Sequence, residues 1–295
     1  MIVDTNTHTE KLAMEKKNIK IKEKIAYLWV YIAATLTILA LLSIIGYVLM
    51  NGVKHINLDF FIQDPKSMGR KGGIFSIILG TSYLTLVSIM IATPIGVCAA
   101  IYLTEYAKEN KLVKLIRFGT ETLAGIPSII FGLFGFVFFV IFLKLRWSIL
   151  SGGLTLALMI LPTLIRATEE SIKTVPRSFR EGSLALGATK WETIVKVVLP
   201  SSISGILTGL ILGIGRAVGE TAAVMLTAGS SLGLPKTIMD PARTMSVHLY
   251  LLASEGLSKE KTFATASVLI ILVLCINFLA NTIANKYMKN TKVAS

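Results

Sequence analysis

The residues that bind metals and form covalent intermediates are scarce in this chain. Two cysteines, Cys98 and Cys275, and three histidines, His8, His55 and His248, are scattered over 295 residues. Both cysteines lie in apolar runs with no C-x-x-C or other metal-ligand spacing, which marks them as unpaired structural thiols. The absence of H-E-x-x-H or a similar pattern removes the motif basis for a metalloenzyme. No Ser/His or paired-Asp arrangement suggests an intramembrane enzyme, and no G-x-x-x-x-G-K-[ST] string is present to cradle ATP phosphates. Charge is scarce too: only 16% of residues are Asp, Glu, Lys or Arg, against 53% hydrophobic, with a mean hydropathy of +0.70. That balance points away from a water-soluble globular domain and toward a membrane protein.

What is present is a series of long apolar runs. A helix needs about 20 mostly apolar residues to cross the hydrocarbon layer. Six windows free of Lys, Arg, Asp and Glu meet that need, at Ile25–Met50, Gly72–Thr104, Thr122–Leu143, Trp147–Ile165, Val197–Gly215 and Thr262–Asn285. The second is long enough to tilt or to hold a non-spanning turn, with Pro94 as a kink point. Six spans place both termini on one side. With that side inside, inner segments hold 19 of the 30 basic residues and outer segments 10, with Arg216 the remainder. The positive-inside rule therefore predicts N-in and C-in. The same placement accounts for much of the formal charge of +13 without nucleic acid. The polar, lysine-rich residues 1–24 differ from a signal peptide and are expected to stay as a cytoplasmic tail. A first helix and external loop would then occupy 25–71, a membrane domain 72–285 and a second cytoplasmic tail 286–295.

Between the fourth and fifth spans, residues 174–200 read "TVPRSFREGSLALGATKWETIVKVVLP", too long and too patterned for a plain connector. Pro176 suits a helix start, Gly187 a left-handed helix end, and Thr189-Lys190-Trp191-Glu192 a capping box that opens another helix. Pro200 is expected to limit regular continuation. From physics alone the short helix is either a docking surface for another protein or an ordinary interfacial helix.

Within that loop Glu181-Gly182-Ser183, Gly187, Val197, Leu199 and Pro200 resemble the E-A-A-x3-G-x9-I-x-L-P loop of permease subunits of bacterial ABC importers. The spacing matches throughout, with E-G-S for E-A-A and Val197 for Ile. Further strings, "GGIFSIILGT" (72–81), "GIPSIIFGLFGFVFFV" (125–140), "GRAVGETAAVMLTAG" (215–229) and "MSVHLYLLASEG" (245–256), are similar to the PstA-type permeases of phosphate importers over about residues 72–285. Ala223 departs from the E-T-A-P string often found there.

This resemblance implies an all-α membrane protein with six transmembrane helices, the type I ABC importer permease architecture, in a prokaryotic cell membrane. Glu181, Gly182, Ser183 and Gly187 would couple to a separate ATPase. Implied partners are a homologous PstC-type permease, a PstB-type ATPase dimer that binds ATP and Mg, and an extracytoplasmic PstS-type phosphate-binding protein; no cofactor is expected on this chain. Another oxyanion such as sulfate or molybdate is the alternative cargo. An ion-coupled secondary carrier titrating Glu220 is a further reading, one that would lack the coupling loop and need no ATPase.

Two charges interrupt the fifth apolar run. Gly205, Gly209 and Gly213 form a small-xxx-small series, and at 100° per residue they share an arc of roughly 80° with Arg216 and Glu220. The charges are thus expected on a helix-contact face rather than toward lipid, where each would cost at least ~2.5–3.5 kcal/mol. One reading is a structural i, i+4 ion pair; the other is a guanidinium anchor for an oxyanion in transit, with Glu220 limiting its affinity. The resemblance supports the second. Arg216 lies ~29 Å along a helix entering at Val197, or deeper if entry follows Pro200. Arg166, Glu169 and Glu170, at the inner end of the fourth span, read as snorkelling or inner-gate residues.

Overall fold

The computed structural model describes the backbone of residues 4–108 and 110–293. The side chains of 1–21, 280 and 283–295 lie outside the described residues, and with them most of the basic side chains of the two expected tails. The chain divides into two units at Asn51/Gly52. The first is nearly all one helix, α1 (Asp4–Gly52), whose apolar part from Lys22 onward is long enough to cross a membrane. Trp29, Leu36, Leu39 and Leu42 on it are exposed, as on a helix solvated by lipid, where every backbone polar group is satisfied internally.

In the second unit, a short helix α2 (Leu58–Ile62) and a two-stranded ribbon, β1 (Pro65–Lys66) with β2 (Lys71–Gly72), precede the remaining spans. α3 (Phe75–Ile101) runs on through a π-turn, Tyr102–Tyr106. α6 (Ile149–Thr174) holds Pro162 in its interior. α8 (Lys190–Thr193), a second π-turn at Ile194–Val198 and α9 (Leu199–Gly219) form one continuous helical run. The expected break at Pro200 is absent because Pro200 falls just after the π-turn, at the start of the next α-helical register, where a missing N–H is tolerated. α12 (Lys259–Val293) closes the chain.

The third span differs from expectation. α4 (Lys111–Ala124) and α5 (Ser128–Gly135), which continues as a π-helix to Phe142, meet at 103°. Gly125-Ile126-Pro127 makes the bend: Pro127 has no N–H to donate, disfavours helical backbone at Ile126, and sits as N-cap of α5. In place of the straight span expected from Thr122 to Leu143, the structure has a bent pair, the amphipathic α4 followed by the apolar stretch Ser128–Phe142. Counting the bent pair as one, six segments are long and apolar enough to cross.

The main core is built where α3, α5, α6, α9, α10 (Ala222–Thr227) and α11 (Met245–Ser254) meet. It contains Leu84, Phe131, Leu156, Met159, Ile160, Leu164, Val224 and Val247, all buried. A smaller cluster, Ile101, Ile172, Val175, Ile194 and Val198, ties the ends of α3 and α6 to the start of the fifth span. The nearest neighbours of the glycine series all lie on one helix. A Cβ at Gly205 would meet Ser171, at Gly209 Ala167 and at Gly213 Ile160, each within 2.4–2.7 Å, and all three partners lie on α6. Ser171 Oγ also donates to the Ser202 carbonyl at 2.6 Å across the seam. Without a hydrophobic drive between helices in lipid, such close approach and interhelical hydrogen bonding hold the pair.

Candidate functional site

The segment between α6 and α8 folds as its local chemistry predicts. Pro176 is the N-cap of α7 (Arg177–Ala185), and Gly187 takes φ +87° beyond its end, a conformation glycine adopts without a Cβ penalty. Thr189 and Glu192 form a complete capping box: Thr189 Oγ1 accepts from the Glu192 N–H and Glu192 Oε2 accepts from the Thr189 N–H at 3.0 Å. α7 buries none of its side chains. Glu181 and Gly182 are exposed, Ser183 and Arg180 half-buried. Phe179, Leu184 and Leu186 are also exposed, Leu186 to 91%. Ser183 Oγ lies 2.9 Å from Thr193 Oγ1, which holds α7 against the start of the fifth span.

Arg166, Glu169 and Glu170 line one face of a cavity of about 490 Å³, completed by Arg117, Thr120 and Glu121 of α4. The structure pairs every one of these charges. Arg166 Nη2 reaches Glu121 Oε1 at 2.9 Å, Arg117 Nε lies 3.5 Å from Glu169 Oε1, and Lys173 lies 3.7 Å from Glu170. Two of the three pairs join α4 to α6. The cavity is therefore lined by matched charge, and opening it between α4 and α6 requires those two pairs to part. Arg117 and Glu121 escaped the sequence reading; their signal was a charged i, i+4 pair on an amphipathic segment just before a Gly-x-Pro break.

At the other end of α9 the two charges of the fifth run separate. α9 ends at Gly219, and Glu220 is its C-cap with extended backbone (φ −72°, ψ 134°). The i, i+4 geometry expected for a structural pair is thus lost, and no ion pair joins Arg216 to Glu220 among the described residues. Glu220 Oε1 instead accepts the Ala223 N–H at 3.2 Å, at the start of α10, a favourable place for a carboxylate. Ala223 is fully buried against Gly132 of α5. Arg216 is half-buried, and no hydrogen bond or ion pair engages its guanidinium among the described residues. The seam it was expected to share is real for Gly205, Gly209 and Gly213.

Beyond α10, Arg243 and His248 form a buried pair that sequence reasoning also missed. Arg243 Nε donates to the Ser230 carbonyl at 2.8 Å, and its Nη1 lies 3.5 Å from His248 Nδ1. Burial first, and the Arg243 charge second, push the His248 imidazole down to about 4, so it is neutral at physiological pH.

Residues 92–289 match the family described as binding-protein-dependent transport system inner membrane component. The chain is 33% identical to the Bacillus subtilis (strain 168) protein named "Probable ABC transporter permease protein YqgI", covering 89% of this chain and 95% of the relative. It is 31% identical to the phosphate transport system permease protein PstA of Pasteurella multocida (strain Pm70), over 88% and 94% of the two. Among solved structures, the permease fold of a bacterial alginate ABC transporter, crystallised with a periplasmic protein bound to an alginate pentasaccharide, is similar. Its TM-score is 0.63 at 16% identity, with 90% of this chain and 96% of that one covered. On the family match and these identities over most of its length, the chain belongs to the binding-protein-dependent transport system inner membrane components, the permease subunits of ABC importers.

Proposed function

We propose that this chain is one of two permease subunits of an ATP-driven phosphate importer. It forms half of the pathway, while ATP and Mg are bound by separate ATPase subunits. The observation that carries the reading is Arg216: a half-buried guanidinium inside an apolar run, without a partner among the described residues, in a chain similar to a phosphate transport system permease. A planar guanidinium binds a tetrahedral oxyanion through two parallel charge-assisted hydrogen bonds. Glu220, four residues on, is held by the Ala223 N–H, and its negative charge limits the affinity of the cation for the anion, which favours release over trapping.

In this reading the basic-rich inner loops, α7 among them, face the cytoplasm. Glu181, Gly182, Ser183 and Gly187 belong to the surface that an ATPase dimer grips, with exposed Phe179, Leu184 and Leu186 as its apolar part. Arg166, Glu169 and Glu170 act as an inner gate whose ion pairs to α4 part when the pathway opens inward. A second, PstC-type permease supplies the other half, and a PstS-type protein delivers phosphate to the outer loops.

The test is radiolabelled phosphate uptake into proteoliposomes holding the co-expressed complex. ATP-dependent uptake, abolished in Arg216→Ala with the complex still assembled, is expected. Uptake driven by a proton gradient without ATP would replace the pump with a coupled carrier. Competition by sulfate or molybdate at equal concentration would change the cargo.

A further inference from the structure

We infer that Glu105 and Arg180 form the joint that transmits movement of α7 to the second span. The inference rests on the proposed coupling to an ATPase and goes beyond it by naming how the push reaches the membrane helices. Glu105 lies in the π-turn that ends the α3 run, and Arg180 projects from α7. Arg180 donates Nε and Nη2 to Glu105 Oε1 at 3.0 and 2.8 Å. The same guanidinium donates Nη1 to the Val175 carbonyl at 2.7 Å and Nη2 to the Ile172 carbonyl at 3.0 Å. Those carbonyls belong to the end of α6, where a helix dipole favours a cation. One side chain therefore fastens three elements: α7, α6 and the end of the α3 run.

Among the described residues nothing else of comparable strength holds α7 to the α3 run. α7 has no buried side chain, so apolar packing does not fix its position. The pair is mostly enclosed, with 11% of the Glu105 side chain and 20% of the Arg180 side chain exposed, where a charge-assisted hydrogen bond is strong and little screened. Cavities of about 400 and 340 Å³ flank it, and both are lined by Glu105 and Arg180. The space beside the joint lets α7 move as a body while the pair stays closed. The Glu105 carbonyl additionally accepts Lys190 Nζ, and that ammonium lies 4.7 Å from the centre of the Tyr106 ring. The start of the fifth span is thereby fastened to the same π-turn. A displacement of α7 then pulls on the second, fourth and fifth spans together, next to the π-turns Tyr102–Tyr106 and Ile194–Val198, where the α-helical register of the second and fifth spans is interrupted.

Arg180 and Glu105 are positioning residues here, so the readout is the ratio of phosphate moved to ATP hydrolysed by the purified complex in proteoliposomes. Glu105→Gln removes the charge but leaves both Arg180 carbonyl bonds, and Arg180→Lys keeps the charge but not the three-way grip. Glu105→Gln is expected to lower the ratio roughly tenfold, with ATPase subunits co-purifying in wild-type amount because the outward face of α7 is untouched. Arg180→Lys is expected to fall between that variant and wild type. A wild-type ratio in both overturns the joint. Should Arg180→Lys fail to assemble, Glu105→Gln alone decides. If the unmodified complex holds no ATPase or shows no ATP-dependent uptake, the functional reading fails instead.

Discussion

The two ends of the fifth span treat charge in opposite ways. At its start, Arg180, Glu105, Lys190, Glu192 and Lys196 are all engaged, in ion pairs, a capping box or contacts with carbonyls. At its end, Arg216 has no partner among the described residues and Glu220 spends one oxygen on a helix start. A satisfied network stiffens the elements it joins, whereas an unsatisfied half-buried cation costs free energy unless something arrives to neutralise it. The first arrangement suits transmission of force and the second suits transient binding.

Removing the open cation should have the largest effect. Arg216→Ala is expected to reduce phosphate uptake at least ~100-fold, the loss of one or two charge-assisted hydrogen bonds. Arg216→Lys should recover only part of it, since an ammonium lacks the bidentate fork. Near wild-type uptake in the alanine variant would reduce Arg216 to a seam residue and erase the contrast.

The seam that carries both ends comes next. Gly209→Leu places side-chain atoms where even a Cβ would lie 2.6 Å from the Ala167 Cβ. Overpacking of that kind costs ~1–3 kcal/mol, so the thermal midpoint of the complex in mild detergent should fall by several degrees. Gly219→Ala, with nothing within 4 Å of its Cβ, is the control and should leave the midpoint unchanged. Equal shifts in the two would detach the glycines from the α6 contact.

Ala223→Pro sharpens the open end. Proline restores the E-T-A-P string often found in PstA-type permeases and fits the first turn of α10, yet it deletes the N–H that Glu220 accepts. Phosphate affinity is expected to fall a few-fold, because the released carboxylate is free to compete for Arg216; an unchanged half-saturation concentration would mean that Glu220 does not contend for that cation.

The smallest effects lie at single local contacts. Thr189→Ala removes the hydroxyl half of the capping box and should cost about 1 kcal/mol, visible as faster hydrogen exchange over Lys190–Thr193 with little change in uptake. His248 has a folded-state value depressed to about 4 from an ordinary 6.5. The unfolded chain therefore binds the proton more readily. Its contribution to stability is complete above pH 6.5 and is lost as pH falls toward 4. His248→Gln should flatten the thermal midpoint across that window, and an unaltered acid slope would clear His248 of the effect.

Much of the architecture was legible because its causes are local. Apolar length set the spans, Gly187 and Thr189 through Glu192 marked the turns about α7, and the glycine spacing foretold a close helix neighbour. Three features were not legible. The bend at Gly125-Ile126-Pro127 broke a run that composition alone reads as continuous. The π-turn let the helix run through Pro200. The end of α9 at Gly219 separated Arg216 from Glu220, although helical periodicity placed them on one face. Each depends on backbone geometry to which an average of 3.6 residues per turn is blind.

The pairings were hidden for a different reason. Glu105 and Arg180 are 75 residues apart, as Arg166 and Glu121 are 45 apart, and nothing in either neighbourhood names its partner. The sequence by itself determined that this chain is a bundle of membrane-length helices with a capped, exposed helix between the fourth and fifth spans, since hydropathy and capping act within a turn or two. Only the tertiary structure decided which charges are neutralised and which stand open, because that depends on where distant segments meet. It closed the pairs around α7 and left Arg216 without one among the described residues.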